Sequence, residues 1–414
     1  MILFRSRLER FQRTYEGPPF TITFWDGDRM GFGAGAPRFD VHFKTRASLA
    51  LSYLQSNLGF GEAYVRGDVV IDGDLEEALI AIGKGDDHLD DDGPASKLKG
   101  MIGRTLSREK QDIEHHYGRG EDFYELYLDR KLQYSCGYFR TPEDTLDQAQ
   151  EQKIAHTARK LDLRPGQRLL DIGCGWGHLM FHAAETYGVE CVGLTLCDNQ
   201  AEYIRREARA RKLPVTVRVQ NYLELPASER WERLVSVGMM CHIGEARIDA
   251  FYDKVTSALA PGAICLLHCI AKMQESSVVD PFVEKHVFPG YWFNSMEGMS
   301  KRAVARGLHV LDVENLRQHY ALTTHHWRKN FLRNYDAIKA KTGYDDRFMR
   351  TWEYYLASAT AGFRRGRLHL LQMVMSNGVV DDYPMTRDFL YSEARRPVER
   401  LVTAPVTAAA VGPS

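Results

Sequence analysis

Short apolar runs alternate with segments of helical spacing through much of the chain, beginning near residue 147. The segments between the runs place apolar residues three and four positions apart, which predicts helices with one buried face. The runs themselves predict five strands, over 168–172, 190–194, 215–219, 234–237 and 263–270. Strands and helices in this order predict an α/β protein with a parallel sheet covered on both faces, which binds ligands at the carboxyl ends of its strands.

The residues before this region follow a different hydrophobic pattern. Between residues 18 and 80, short alternating runs bounded by turn residues predict small strands, followed by helical segments. Asp74 is placed to cap the second helix, and residues 1–13 mix apolar and basic side chains as a short amphipathic surface helix would. The predicted elements are strands over 20–24 and 41–43 and helices over 47–55 and 75–82. This part is expected to form a smaller α+β domain.

An acid-rich segment separates the two patterns. Residues 84–110 begin with a cluster of aspartates among turn-forming residues, a composition that cannot bury a core and is typical of an exposed linker. We therefore expect an N-terminal accessory domain over 1–83, this linker, and a main domain over 111–395. The final residues, 396–414, are rich in Ala, Val and Pro and are expected to be a disordered tail.

Composition and charge narrow the classes of partner. The chain has 414 residues and a formal net charge of −1, so bulk electrostatics predict no nucleic-acid partner. Its seven cysteines argue against a disulfide framework and fit a reducing cytosol, and they lack the paired spacing of a zinc site, so no metal is expected. No window approaches the roughly 20 uninterrupted apolar residues of a membrane span, so no transmembrane segment is expected.

The most specific local signal is a glycine-rich loop after the first predicted strand of the main domain. The strand ends at Asp171-Ile172 and is followed by Gly173, Gly175 and Gly177. Glycine lets a bulky ligand lie against bare backbone, and the helix N-terminus behind the loop leaves N–H groups free for polar or anionic groups. The order Asp-x-Gly-x-Gly-x-Gly departs from the dinucleotide fingerprint G-x-G-x-x-G and is the pattern of S-adenosylmethionine-dependent methyltransferases.

Further motifs surround this loop in a fixed order. They are Tyr134-Ser135-Cys136-Gly137-Tyr138-Phe139, Ala149-Gln150 with Lys153, Gly193-Leu194-Thr195-Leu196 with Gln200, and His268-Cys269-Ile270. Together they resemble the cyclopropane fatty acid synthase family, which includes the mycolic acid cyclopropane synthases, over residues 55–375. The resemblance implies a Rossmann-like class I methyltransferase domain as the catalytic domain and a lipid-binding role for the N-terminal domain. It also implies methyl transfer from S-adenosylmethionine to the double bond of an unsaturated fatty acyl chain in a phospholipid, giving a cyclopropane fatty acid.

The resemblance also implies which residues bind the cofactor. Tyr134 and Ser135 would cover its methionine end. Thr195, Leu196 and Gln200 would reach the ribose. The remaining implied cofactor residues are Asp171, Gly173, Gly175 and Gly177 in the loop, and Asn221 and Tyr222 near the adenine.

The implied proton-acceptor site departs from the family pattern. In the family, the acceptor is thought to be a bound bicarbonate ion, and the resemblance implies Cys136, Cys241, His268, Tyr320 and the backbone of Ile270 as its ligands here. The family motif E-H-[VF]-G reads Cys241-His242-Ile243-Gly244 in this chain, so the carboxylate is replaced by a thiol. A thiol with its ordinary pKa of about 8.5 is mostly neutral at pH 7 and is a weak hydrogen-bond acceptor.

This departure leaves several functions open. A changed acceptor favours altered chemistry, in which the carbocation shifts a hydride and yields a methyl- or methylene-branched fatty acid. A non-catalytic lipid-binding homologue and a methyltransferase acting on a small heteroatom nucleophile are the other two alternatives.

The resemblance further predicts where the protein works. It implies a cytoplasmic enzyme, peripheral on the inner membrane face, that takes phospholipid acyl chains at the membrane surface. A basic and aromatic run over 325–333 is a candidate contact for anionic headgroups. An N-terminal domain that reaches a partner's catalytic domain would fit a homodimer.

Overall fold

The computed structural model describes residues 2–83, 121–274 and 279–391. The predicted linker over 84–110 and the predicted tail over 396–414 lie outside the described residues. Within the described part of the chain, no helix combines the length and the apolar composition that crossing a bilayer requires.

The main sheet contains all five predicted strands as parallel neighbours. They are β5 (Arg168–Ile172), β6 (Glu190–Thr195), β7 (Val215–Val219), β8 (Trp231–Val237) and β9 (Leu259–Lys272), in the spatial order β9-β8-β5-β6-β7. Beyond β9 the sheet continues with two antiparallel strands, β12 (His369–Asn377) and then β11 (Leu308–Asn315), and the short β10 (Asn294–Ser295) also pairs with β9. The expected Rossmann-like methyltransferase architecture is confirmed, with an antiparallel extension that the sequence pattern did not predict.

The helices of the described residues pack on both faces of this sheet and against the small N-terminal sheet. They are Ile2–Thr14, Arg46–Arg66, Leu75–Gly83, Glu121–Tyr124, Leu146–Lys160, His178–Tyr187, Asp198–Arg211, Ile248–Ala258, Pro281–His286, Met296–Val304, Arg317–Arg333, Tyr335–Thr342, Asp346–Arg364 and Asp388–Tyr391. Two separate apolar cores lie on the two faces of the main sheet. Adjacent residues of β5 point into opposite cores, since Leu170 belongs to one and Leu169 to the other.

The N-terminal residues form a four-stranded sheet with its own helices. Its strands are β1 (Phe20–Thr23), β2 (Arg29–Phe32), β3 (Asp40–Phe43) and β4 (Val69–Asp72), in the order β2-β1-β3-β4. Asp74 caps the following helix as expected, because its Oδ1 accepts a hydrogen bond from the Glu77 amide at 2.9 Å. The predicted N-terminal amphipathic helix is also present, over Ile2–Thr14.

One predicted helix is longer than its sequence pattern indicated. The helix predicted over 47–55 extends to Arg66 and runs through Gly59 and Gly61. A Cβ at Gly61 would lie 2.5 Å from the Phe282 ring and 2.7 Å from the Tyr354 ring. Glycine at this position therefore allows close packing of two helical surfaces, although its sequence signal is that of a helix breaker.

The N-terminal sheet and the main domain share one apolar core. Phe282, Tyr354 and Ala357 of the main domain pack among the aromatic residues of the N-terminal unit. At the edge of this core, Arg328 bonds to Asp74 of the N-terminal unit and Glu353 of the main domain, each at 3.0 Å. The side chains of Arg328 and Glu353 are 10% and 14% exposed, so this pair is largely shielded from water, whereas Asp74 is 47% exposed.

Candidate active site

The glycine-rich loop connects the carboxyl end of β5 to the helix His178–Tyr187. Gly173, Gly175 and Gly177 have positive φ angles of 82°, 53° and 79°, which residues with a side chain rarely adopt. A Cβ on Gly177 would lie 2.8 Å from Ile204 Cγ1, whereas a Cβ on Gly175 would meet no described atom within 4 Å. The loop thus packs closely against the protein at Gly177 and leaves open space beside Gly175.

A cavity of about 210 Å³ lies above this loop, and every residue predicted to bind the cofactor lines it. Those residues are Tyr134, Ser135, Asp171, Gly173, Gly175, Gly177, Thr195, Leu196, Gln200, Asn221 and Tyr222. They come from the carboxyl ends of β5, β6 and β7 and from the segment before the helix Leu146–Lys160. The structure therefore brings together all residues of this predicted set.

Two buried charged side chains face the same cavity. Asp171 is 3% exposed, its Oδ1 has no hydrogen-bond partner among the described residues, and burial raises its pKa to about 7. Burial lowers the pKa of Lys153 to about 8, and its Nζ donates to Gln133 Oε1 at 2.5 Å and to Ser135 Oγ at 2.9 Å. The sequence showed Lys153 only as part of a motif and did not predict its place in the cavity wall.

The far side of this cavity is fixed by local hydrogen bonds. Thr195 Oγ1 donates to Gln200 Oε1 at 2.8 Å, which joins the end of β6 to the helix Asp198–Arg211. Asn221 Oδ1 accepts from the Leu223 amide at 3.0 Å and so caps a short 3-10 turn. The Thr195–Gln200 bond places neutral polar groups where an acidic residue commonly follows the second strand.

A second and larger cavity, of about 880 Å³, adjoins the first. Tyr134, Ser135, Gly238 and His242 border both, so the two cavities meet at these residues. The larger cavity is lined mainly by apolar side chains from the N-terminal unit and from the helix Asp346–Arg364. Its lining includes Leu8, Phe11, Phe20, Ile22, Val41, Phe43, Leu49, Phe60, Leu79, Ile82, Phe288, Tyr291, Phe293, Tyr320, Tyr354, Tyr355 and Phe363.

Four of the five predicted proton-acceptor residues line this larger cavity. They are Cys241, His268, Ile270 and Tyr320. Cys136 does not line either cavity: it is buried, and its thiol donates to the Gly137 carbonyl at 3.1 Å. Burial raises the pKa of this thiol, so Cys136 presents no charge to its surroundings.

Cys241 is held as a neutral thiol. Its Sγ lies 3.8 Å from the Ile270 carbonyl oxygen and donates to it. Burial raises the pKa of Cys241 to about 12, so the thiolate is not populated near neutral pH. The site therefore lacks the negative charge that a glutamate would supply at this position.

Aromatic residues line part of the larger cavity, and one of them, Tyr134, also borders the smaller. Tyr320 stacks on Phe363 with ring centroids 4.5 Å apart, and Tyr134 stacks on Trp327 at 4.9 Å. The Tyr134 hydroxyl hydrogen-bonds to the Tyr355 hydroxyl at 2.8 Å. The faces of such rings attract a positive charge, which gives this wall a chemical use as well as a packing role.

The fold and the loop geometry together define a class I methyltransferase. Residues 104–373 match the family described as mycolic acid cyclopropane synthetase, and residues 8–89 match a domain of unknown function. The chain belongs to the mycolic acid cyclopropane synthetase family, as the sequence motifs predicted.

Named relatives agree with this assignment. A probable fatty acid methyltransferase of Pseudomonas putida is 34% identical over 385 residues, covering 90% of this chain and 96% of the relative. The cyclopropane-fatty-acyl-phospholipid synthase of Escherichia coli K12 is 34% identical over 274 residues, covering 66% of this chain and 70% of the relative. A crystal structure of a mycolic acid cyclopropane synthase complexed with SAH and CTAB superposes with a TM-score of 0.60 at 30% identity, covering 64% of this chain and 98% of that one.

Proposed function

We propose that this protein transfers a methyl group from S-adenosylmethionine to the double bond of an unsaturated acyl chain in a phospholipid and closes a cyclopropane ring. The observation that carries the proposal is the junction of two cavities at Tyr134, Ser135, Gly238 and His242: the small one beside the glycine loop, whose wall contains Asp171 and Lys153, and the large one, whose wall is mainly aromatic and aliphatic. A polar cofactor and an apolar chain would meet there. The names of the relatives support the same reaction class.

The residues of the smaller cavity fit S-adenosylmethionine. The glycine loop offers open space at Gly175, and the unpartnered carboxylate oxygen of Asp171 can accept from the ammonium group of the methionine portion. When bound, the cofactor supplies an electrophilic methyl group on a sulfonium. Thr195 and Gln200 are placed to hold the ribose, and Tyr134 and Ser135, which border both cavities, would cover the methionine portion.

The larger cavity fits an acyl chain and the charge that forms on it. Transfer of the methyl group to one alkene carbon would leave a positive charge on the other. The rings of Tyr320 and Tyr134 line this cavity and can stabilise the cation through their faces. Loss of a proton from the transferred methyl group then closes the ring.

The residues fit a bound bicarbonate only in part. Ile270, His268 and Tyr320 lie in the cavity wall, but a thiol occupies the position of the family's glutamate and Cys136 lines neither cavity. A bicarbonate ion therefore stays a prediction from the family resemblance, and we assign no step to it.

A branched product is the second candidate. The observation that favours it is the neutral thiol of Cys241, whose pKa is raised to about 12, in place of a proton-accepting carboxylate. With slower loss of the methyl proton, a hydride shift moves the positive charge to the carbon that bears the methyl group. Loss of a proton from that methyl group then leaves a methylene branch, and loss from the neighbouring chain carbon leaves a methyl branch on a double bond. Action at the cytoplasmic face of a membrane and assembly as a homodimer also stay predictions.

The test is an assay of the full chain with methyl-labelled S-adenosylmethionine and vesicles of a monounsaturated phospholipid. Label in the lipid with the mass of one added CH2 supports alkene methylation, and olefinic proton signals in an NMR spectrum separate a methylene branch from a ring. Cofactor binding without lipid label would indicate a non-catalytic homologue. Label transferred to a small heteroatom nucleophile, but not to lipid, would overturn the proposal.

Restoring the carboxylate should change the product ratio. We expect Cys241→Glu to raise the ratio of cyclopropane to branched product by about fivefold or more, because a carboxylate near the cation accepts the methyl proton before the hydride shifts. Cys241→Gln is the matched control, since it has the same shape without the charge. An unchanged ratio in Cys241→Glu, or an equal rise in both variants, would show that the thiol does not direct the product.

A further inference from the structure

His268 borders the larger cavity, and one of its ring nitrogens contacts a buried amide inside the protein. The residue is 1% exposed and borders the cavity, and its Nε2 has no hydrogen-bond partner among the described residues. Its Nδ1 lies 3.1 Å from Nε2 of Gln372. The two residues face each other directly across the antiparallel pair of β9 and β12, so the backbone register fixes their contact.

Gln372 is fully buried between the two cavities. Its amide nitrogen also donates to Thr157 Oγ1 at 3.2 Å, and Thr157 lines the cofactor-side cavity. In this orientation one amide acceptor, Oε1, has no partner among the described residues. If the amide were flipped, both of its N–H groups would occupy the position where Oε1 now has no partner. Two buried donors without partners cost more than one buried acceptor without a partner, which is the arrangement observed. The polar contacts therefore favour an amide nitrogen that donates to the imidazole.

We propose that Gln372 is a positioning residue that holds His268 as the tautomer with its proton on Nε2, aimed as a donor into the cavity. Nδ1 accepts from the amide, so the ring proton must be on Nε2. His268 then donates a hydrogen bond to an oxygen-bearing group beside the reacting carbons. It cannot take the proton released by the substrate, because neither nitrogen has a free lone pair. This inference rests on the proposed function and assigns the role of one residue in it.

The surroundings of His268 keep this ring neutral. Burial is the main cause that lowers its pKa, and the positive charges of Lys153 and Lys160 lower it further, against a smaller opposing effect of Glu314. A doubly protonated ring would also lose its contact with Gln372, because the amide nitrogen cannot accept a hydrogen bond. Geometry and electrostatics thus agree on a single protonated nitrogen.

The direct test is the tautomer itself, measured in the full chain labelled with 15N-histidine. A long-range 15N–1H correlation spectrum distinguishes a protonated from an unprotonated ring nitrogen, and the signals of His268 are those missing from His268→Asn. We expect a protonated Nε2 and an unprotonated Nδ1. An unprotonated Nε2 in the native protein would overturn the proposal, whether or not the protein methylates lipids.

Two substitutions of Gln372 distinguish a role in positioning His268 from a role in packing alone. Gln372→Glu keeps the volume but accepts a hydrogen bond, so we expect the proton to move to Nδ1, turnover to fall at least tenfold, and affinity for S-adenosylmethionine to change less than twofold. Gln372→Met keeps the volume without either bond, and we expect mixed tautomers with a smaller loss of turnover. Equal losses in both variants without a change of tautomer would show a packing role and overturn the proposal. The native spectrum decides the question if a variant fails to fold.

Discussion

The two cavities that meet at Tyr134 and Ser135 are built from different kinds of structure. The smaller one is lined mainly by residues at the carboxyl ends of three neighbouring parallel strands, while the larger one is lined largely by the N-terminal unit, the helix Asp346–Arg364 and the segment after that helix. The wall of the smaller cavity contains Asp171 and Lys153, and that of the larger one is mainly aromatic and aliphatic.

This difference separates the part of the proposed reaction that binds the cofactor from the part that selects the acyl chain. Parallel strands present their carboxyl ends at one edge, so a cofactor site follows from the sheet and a short motif. The larger cavity depends on contacts between residues distant in the chain, such as Leu49 and Ser358, which both line it. Changes in the N-terminal unit should therefore alter which chain is accepted without altering cofactor binding.

The largest expected effect comes from filling the space beside the glycine loop. Gly175→Leu places a side chain in the open space of the cofactor-side cavity, and we expect at least a hundredfold loss of affinity for S-adenosylmethionine, measured by calorimetry. Gly166→Leu is the control, because Gly166 also has a positive φ (80°) and open surroundings but lies outside both cavities. Both variants should lose about 1–2 kcal/mol of stability from the left-handed backbone. Similar affinities in the two variants would contradict the placement of the cofactor.

The contrast also explains what could be predicted from the sequence. The five parallel strands follow from local hydrophobic patterns. The cofactor-side residues were implied by the motifs of the family resemblance, and most of them lie at strand ends, whereas Tyr134 and Ser135 lie in the segment before the helix Leu146–Lys160. The antiparallel strands β11 and β12 were not predicted from the sequence, because the strands with which they pair are distant in the chain and the segments on either side of them are helical. Gln372 and Lys153 were missed for a related reason: their roles arise only when β9, β12 and a helix pack together.

Cys136 shows a different limit of sequence reasoning. The resemblance implied a place among the proton-acceptor residues, and Cys136 does pack against Ile270 and Tyr320 of that set, but its thiol donates to the Gly137 carbonyl and the residue lines neither cavity. A motif specifies which residue is near a site, but the side-chain rotamer depends on packing that a motif does not encode.

A smaller effect is expected from narrowing the apolar cavity. Ser358→Trp adds a large ring to its wall, and we expect turnover with phospholipid to fall at least tenfold while affinity for S-adenosylmethionine stays within twofold. Thr351→Trp is the control, because Thr351 lies seven residues earlier on the same helix and outside both cavities. Loss of cofactor affinity in Ser358→Trp, or equal loss of turnover in both variants, would refute the separation of the two cavities.

The smallest expected effect is a pH dependence confined to the cofactor side. Burial raises the pKa of Asp171 to about 7 and lowers that of Lys153 to about 8, so raising the pH from 6 to 8 adds a negative charge and begins to remove a positive one. Both changes favour a cofactor with a net positive charge, and we expect the Kd for S-adenosylmethionine to fall by about threefold to tenfold over this range. S-adenosylhomocysteine lacks the sulfonium charge and should respond less. Asp171→Asn should flatten the profile below pH 7, and an unchanged slope in this variant would exclude Asp171 as its source.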